Sequence, residues 1–226
     1  MPSQTKKNQT PKSSSPTPDA RRYAPATERN RQVIYDILKS NLPAKGKLLE
    51  VASGTGEHAA WIGSRLPAIK WQTSEYDTDL FPSIQAHIQA SEAKNIFPPF
   101  HIDVTRNNWG LEVEQLSQFQ NKTDVITCAN MIHIAPWEVA IGLFLGASNL
   151  LLKNGLLFVY GPFFQSDVPT APSNIEFDNW LKERDPSWGI RNLDDVKKLA
   201  EDHNLTLERI HPMPANNLFL QFKKLK

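Results

Sequence analysis

Residues 48–59, LLEVASGTGEHA, constrain this chain more than any other stretch. An apolar run ends in an acid, Glu50, opens into a glycine loop and resumes as a helix from Glu57. Ser53, Gly54 and Gly56 can bring backbone close to a ligand at the carboxyl end of a first strand. Glu75, 25 residues after Glu50, closes the next apolar run. Two acids at successive strand ends beside a glycine loop describe an α/β site for an adenosine-containing cofactor.

Two such cofactors compete. Gly54-x-Gly56-x-x-Ala59 satisfies the dinucleotide fingerprint, with Glu75 where a ribose-binding acid belongs. A pyrophosphate, however, would rest on the helix N-terminus, the partly positive end of the dipole. That helix begins with Glu57, whose carboxylate stabilises the helix and repels phosphate, and Glu50 adds a second negative charge. S-adenosylmethionine has a sulfonium, an ammonium and no phosphate, so these charges suit it better.

The hydrophobic period predicts the rest of the architecture. Thr27 is placed to cap a helix carrying Val33, Ile34, Ile37 and Leu38 and ending near Asn41. Strands are expected over 47–51, 71–76, 100–104, 124–130 and 156–160. Helices follow from Glu57, closed by Pro67, from Asp79 with Pro82 in its first turn, and over 136–152 with Asn154-Gly155 as the exit turn. A helix over 192–203 then leads to alternating runs at 205–210 and 218–223, close enough for an antiparallel hairpin. Alternation of strand and helix implies a parallel sheet covered on both faces.

Composition narrows the class. Lys and Arg number 25 against 24 Asp and Glu, so nothing points to nucleic acid or an anionic membrane. The longest apolar stretch, Val139–Leu152, is interrupted by Gly142, Gly146, Ser148 and Asn149, which is no membrane span. The single cysteine, Cys128, cannot form an internal disulfide and reads as a buried small hydrophobe. Residues 1–20 contain no aromatic or branched aliphatic residue, so they are expected to be a disordered tail ahead of a single domain over 21–226. The tail has neither the apolar run of a secretory signal nor an arginine before Arg21, and the cytoplasm is the expected location. No paired histidine spacing suggests a metal site, and the hydrolase elbow Gly-x-Ser-x-Gly is absent.

The acid-x-x-x-Gly-x-Gly run at 50–56 resembles motif I of the class I S-adenosylmethionine-dependent methyltransferases, with Ala52 at the family's first glycine position. Arg22–Ala26, Glu28–Asn30, Glu50–His58 and Asn130–Ile134 are similar to domain-of-unknown-function family 938, which includes the methyltransferase-like protein 26 group. The resemblance implies a Rossmann-like α/β fold with seven strands in the order 3-2-1-4-5-7-6, strand 7 antiparallel. It implies a methyl transfer from S-adenosyl-L-methionine to an acceptor it does not identify, a small molecule being favoured over a protein side chain.

Under that resemblance Glu50 meets the methionine ammonium, and Ala52, Ser53, Gly54 and Gly56 line the cofactor. Glu75 accepts the ribose hydroxyls. Asp103 accepts from the adenine amino group, and Val104 donates its N–H. Asn130 faces the reacting end. Tyr23, Arg29 and Asn30 belong to a characteristic N-terminal segment; Tyr23 either lies near the sulfonium, where cation–π attraction contributes about 0.5–2 kcal/mol, or simply packs, and Arg29 either serves the cofactor or pairs on the surface. His133 is the candidate general base, the competing reading being a histidine hydrogen-bonded within its loop. Asn130-Met131-Ile132-His133 is not the Asn/Asp-Pro-Pro-aromatic motif of base-methylating enzymes, which weighs against that chemistry. Tyr160, Phe163 and Phe164 with Pro169 and Pro172 suggest an aromatic lid, and Trp188–Arg191 its rim. An NAD(P)-binding oxidoreductase and a non-catalytic adaptor are the alternatives.

Overall fold

The structure, a computed structural model, describes residues 19–225. Of the tail expected over 1–20, residues 1–18 lie outside the described residues. The strands are β1 (Gly46–Val51), β2 (Ile69–Glu75), β3 (Ile96–His101), β4 (Thr123–Ala129), β5 (Leu151–Phe164), β6 (Arg191–Asn192), β7 (Leu205–Met213) and β8 (Asn217–Lys224). The helices are α1 (Pro25–Asn41), α2 (Glu57–Gly63), α3 (Phe81–Ser91), α4 (Val113–Phe119), α5 (Trp137–Leu150), α6 (Pro172–Arg184) and α7 (Leu193–Asp202).

The sheet runs β3-β2-β1-β4-β5-β8-β7, with the short β6 pairing off this path with β5. β1 to β5 are mutually parallel, and β8 is antiparallel to both neighbours. Counting without β6, this is the expected order with the last strand reversed. Leu48, Val125 and Phe158 point to one face, where Ile34, Leu38, Ala59 and Ile62 of α1 and α2 cover them. Leu49, Ile126, Leu157 and Val159 point to the other, under Phe144 and Ala147 of α5 and Val196 and Ala200 of α7. Side chains alternate across a strand, so burial of both members of each pair requires a helical layer on each face. Cys128 is fully buried in the second layer, and burial pushes its thiol up, out of reach of ionisation.

Several boundaries differ from the sequence reading. α1 starts at Pro25, with Ala24 before it, so Thr27 is a buried first-turn residue and not the cap. A proline in the first turn sacrifices no intrahelical bond. The third strand spans 96–101, not 100–104. Its Pro98 and Pro99 are tolerated because β3 is an edge strand. Asp103 and Val104 therefore stand in the following turn. β5 begins at Leu151, so Asn154-Gly155, with Asn154 at φ 66°, lies inside its first half instead of in a helix exit turn. The expected aromatic lid is also corrected: Tyr160 and Phe163 are core residues of β5, and Pro172 opens α6. Among the described residues no helix is long and apolar enough to cross a membrane.

Candidate functional site

The chain order reverses at β1, which lies between β2 and β4, and the crevice outside such a point is where open α/β sheets bind ligands. The glycine loop occupies that place. Ala52, Gly54 and Gly56 all take left-handed conformations, at φ 57°, 57° and 90°. A Cβ on Gly56 would stand 2.6 Å from the Ile84 backbone, so α2 and α3 meet only because this residue is glycine. Ala52 adopts the conformation of the glycine that the resembling motif carries there. Ala52→Gly is expected to stabilise the fold by about 1 kcal/mol by relieving that strain, and a raised denaturant midpoint at unchanged slope would show it.

Glu50 ends its strand almost completely buried, at 5% exposure. One carboxylate oxygen accepts from Ser53 Oγ at 2.8 Å and Trp71 Nε1 at 3.2 Å; the other has no hydrogen-bond partner among the described residues. Burial pushes its carboxyl up to about 7, opposed by those two bonds and reinforced by the nearby Glu75 charge. No cation pairs with it among the described residues. Glu75 accepts three backbone N–H groups, from Gly54 at 2.8 Å, Tyr76 at 2.8 Å and Asp77 at 3.1 Å. A carboxylate offers about four acceptor positions, so Glu75 first of all fixes the glycine loop and keeps roughly one position open.

The N-terminal segment is strapped across this loop. Glu57 Oε2 accepts from Ala24 N at 2.6 Å and Thr55 Oγ1 at 2.8 Å. Ser83 Oγ accepts from Arg22 N and donates to Thr55 O, and Asn30 Oδ1 meets His58 Nε2, each at 2.8 Å. Glu57 thus anchors the strap as well as the helix start. Tyr23 is not brought into the crevice: the residue is 64% exposed and its ring packs edge-on against His87, 5.1 Å between centroids. It lines a shallow depression over α2 and α3 with Trp61 and Arg65. Arg29 is exposed on α1 and forms no ion pair among the described residues. Its charge reaches Tyr160 on β5.

Past β3, Asp103 Oδ1 accepts from Thr105 N at 3.0 Å and Thr105 Oγ1 at 2.7 Å, and Asp103 N donates to Trp109 O. This is the turn-acid arrangement, with Oδ2 unengaged among the described residues, as is the N–H of Val104. A cleft of about 620 Å³ lies beyond this turn, against Trp109, Ile141 and Leu145. Val104 lines it, but Glu50, Glu75 and Asn130 do not, so the cleft and the buried acids at the reversal point are separate features.

Asn130 follows β4 directly in a left-handed conformation, φ 56°, with its N–H held by Tyr160 O. His133, three residues on, is 3% exposed. Its Nδ1 is the one buried side-chain nitrogen or oxygen without a hydrogen-bond partner among the described residues. A Cβ built on Gly161 would lie 3.1 Å from that atom, so this edge of the ring is sealed against β5. Phe177 of α6 covers it edge-on at 5.7 Å. Burial, helped by the Arg191 charge, pushes His133 down to about 4. The structure thus brings Glu50, the loop, Glu75, Asp103, Val104, Asn130 and His133 to one sheet edge. Trp71, Gly161 and Phe177 were missed by the sequence reading, and Arg191 was placed only at the rim, without its contacts to the His133 loop. Trp71 was recoverable from strand alternation; the others touch the site through contacts distant in the chain.

This sheet order, its reversed final hairpin and the glycine loop at the reversal point define the class I methyltransferase fold. Residues 21–224 match the family described as "Protein of unknown function (DUF938)", and the chain belongs to it. Solved structures share the fold. An O-methyltransferase family protein from Burkholderia thailandensis superposes with a TM-score of 0.70 at 16% identity, over 89% of this chain and 58% of that one. A Bacillus halodurans protein assigned as a methyltransferase gives 0.65 at 15%, over 85% and 99%. CalO1, a methyltransferase in calicheamicin biosynthesis with SAH bound, gives 0.64 at 14%, over 84% and 53%. The chain thus spans little more than half the length of the first and third of these proteins.

Proposed function

We propose that this protein is an S-adenosyl-L-methionine-dependent methyltransferase acting on a small-molecule acceptor. The observation that carries the reading is Glu50, a buried carboxyl at the switch point with one open oxygen and, among the described residues, no cation paired with it. A ligand ammonium or sulfonium would balance it, whereas a pyrophosphate would add to the repulsion. Glu57 at the start of α2 weighs the same way against the NAD(P) alternative. The bound SAH of CalO1, a protein of like fold, supports the choice of cofactor.

In this reading Glu50 binds the methionine ammonium, and Ser53, Gly54 and Gly56 pack against the ligand. The open acceptor position of Glu75 takes a ribose hydroxyl, and Asp103 Oδ2 with the Val104 N–H reads the adenine edge. When bound, S-adenosylmethionine supplies an activated methyl group, so alignment does most of the work. With Nδ1 sealed and without an acceptor among the described residues, the neutral His133 ring keeps its proton on Nε2. His133 therefore orients an acceptor atom by donating to it more readily than it removes a proton. Asn130 flanks the same point.

Isothermal titration of S-adenosylhomocysteine into the wild type and Glu75→Ala tests this. Micromolar binding weakened at least about tenfold, or 1.4 kcal/mol, by the substitution is expected, since both a ligand contact and the anchor of Gly54 are lost. Binding of NADH with none of S-adenosylhomocysteine would overturn the reading, and binding of neither would favour the adaptor.

A further inference from the structure

The loop 130–136 that carries His133 is held from a distant part of the chain. Arg191, on β6, donates from Nε to Ile132 O at 2.9 Å and from Nη2 to Ala135 O and, at 3.1 Å, Ser187 O. Gly189 N donates to the carbonyl of His133 itself at 3.0 Å. The Arg191 segment is fixed in turn by Asp178, a buried acid of α6 that accepts from Ile190 N at 2.8 Å and pairs with Lys182. A planar fork reaching two carbonyls three residues apart leaves the loop few ways to move.

We propose that Arg191 is a positioning residue: by clamping the 130–136 loop it holds the His133 ring sealed against Gly161, with Nε2 toward the acceptor. Its meaning for catalysis rests on the methyltransferase reading, but the placement itself does not. Among the described residues the ring has no side-chain hydrogen bond of its own, so the backbone of its loop and packing against Gly161 and Phe177 fix it. The charged groups acting on the clamp are Asp178 on α6, paired with Lys182, and Glu138 on α5; Glu176, Glu183 and Arg184 of α6 are exposed. Only Arg191 moves the His133 titration perceptibly, and downward. The clamp thus places a ring that stays neutral at physiological pH.

The test is a pH titration of full-length protein with nitrogen-15-labelled histidine, followed by NMR, for wild type, Arg191→Lys and Arg191→Met. In the wild type His133 should stay in the Nε2–H form and titrate near 4. In both variants, lysine included because it keeps the charge without the fork, it should titrate about one unit higher or more. Wild-type titration and tautomer in Arg191→Met, or full restoration by lysine, would overturn the proposal. Should Arg191→Met fail to fold, the lysine variant decides alone. S-adenosylhomocysteine titration runs beside it: no binding to wild type would sink the methyltransferase reading and leave the histidine result intact, whereas affinity in the variants should stay within about threefold of wild type, 0.7 kcal/mol.

Discussion

Gly142→Ala is expected to lower the melting temperature by about 4–8 °C, a loss of roughly 2 kcal/mol for a chain of this size. The alanine Cβ would lie 2.1 Å from Val104 O and 2.7 Å from its carbonyl carbon. That obstacle is backbone, so α5 and the 103–109 turn must part. Overpacking of this kind costs about 3 kcal/mol, against roughly 1 kcal/mol gained in helix propensity. One turn on, a Cβ on Gly146 would meet the Trp109 indole at 1.9 Å, and Trp109 Nε1 donates to Gly142 O at 2.9 Å. The two glycines form a trough for the indole, whose own backbone bends through left-handed residues at 108–110, φ 53°, 58° and 70°. Because Trp109 O holds the Asp103 N–H, displacing the turn should also weaken S-adenosylhomocysteine binding. Leu145→Ala, on the exposed side of the same helix, is the control and should melt within about 2 °C of wild type. A Gly142→Ala protein melting like that control would refute the close packing.

The second large effect is electrostatic. With its carboxyl raised from 4.5 to about 7, Glu50 binds a proton in the folded protein that the unfolded chain releases between those values. Its contribution to stability is therefore fully present below 4.5 and is lost as pH rises to 7, removing about 3 kcal/mol over that window. His58 and His133 act oppositely. Both are lowered to about 4, so their contribution is present above the ordinary imidazole value of 6.5 and is lost as pH falls to 4. The wild-type stability curve mixes these slopes, and the difference between Glu50→Gln and wild type isolates the carboxyl. That difference should be near zero at pH 4.5 and reach about 2–3 kcal/mol in favour of glutamine by pH 7.5. In the same variant S-adenosylhomocysteine affinity should fall at least about tenfold at pH 7.5 and far less at pH 5. Denaturant unfolding at several pH values decides the first point; a flat difference would mean that Glu50 is solvated.

The glycine loop, the acids that end β1 and β2, and the covered parallel sheet were legible in the sequence because each follows from local backbone geometry. Strand alternation put Leu48 and Leu49 on opposite faces, and a helix at Glu57 required the loop before it. α6 escaped notice because its periodicity is inverted: Asn174 and Asp178 are buried with Leu181, while Ile175 and Trp180 face outward. Its polar face satisfies groups on other segments, such as Asn216 O and Ile190 N. β3 was placed four residues late at its start; it contains Pro98 and Pro99, which its edge position makes harmless.

The sequence by itself determined the fold class, the glycine loop after β1 and the acids near the ends of β1 and β2, since those depend on spacing along a few residues. The tertiary structure alone decided that Tyr23 packs on His87, that Glu75 anchors the glycine loop, that Gly142 admits the Asp103 turn and that Arg191 holds the His133 loop across 59 residues. Each of those rests on a contact between distant segments, whose partners no local pattern names.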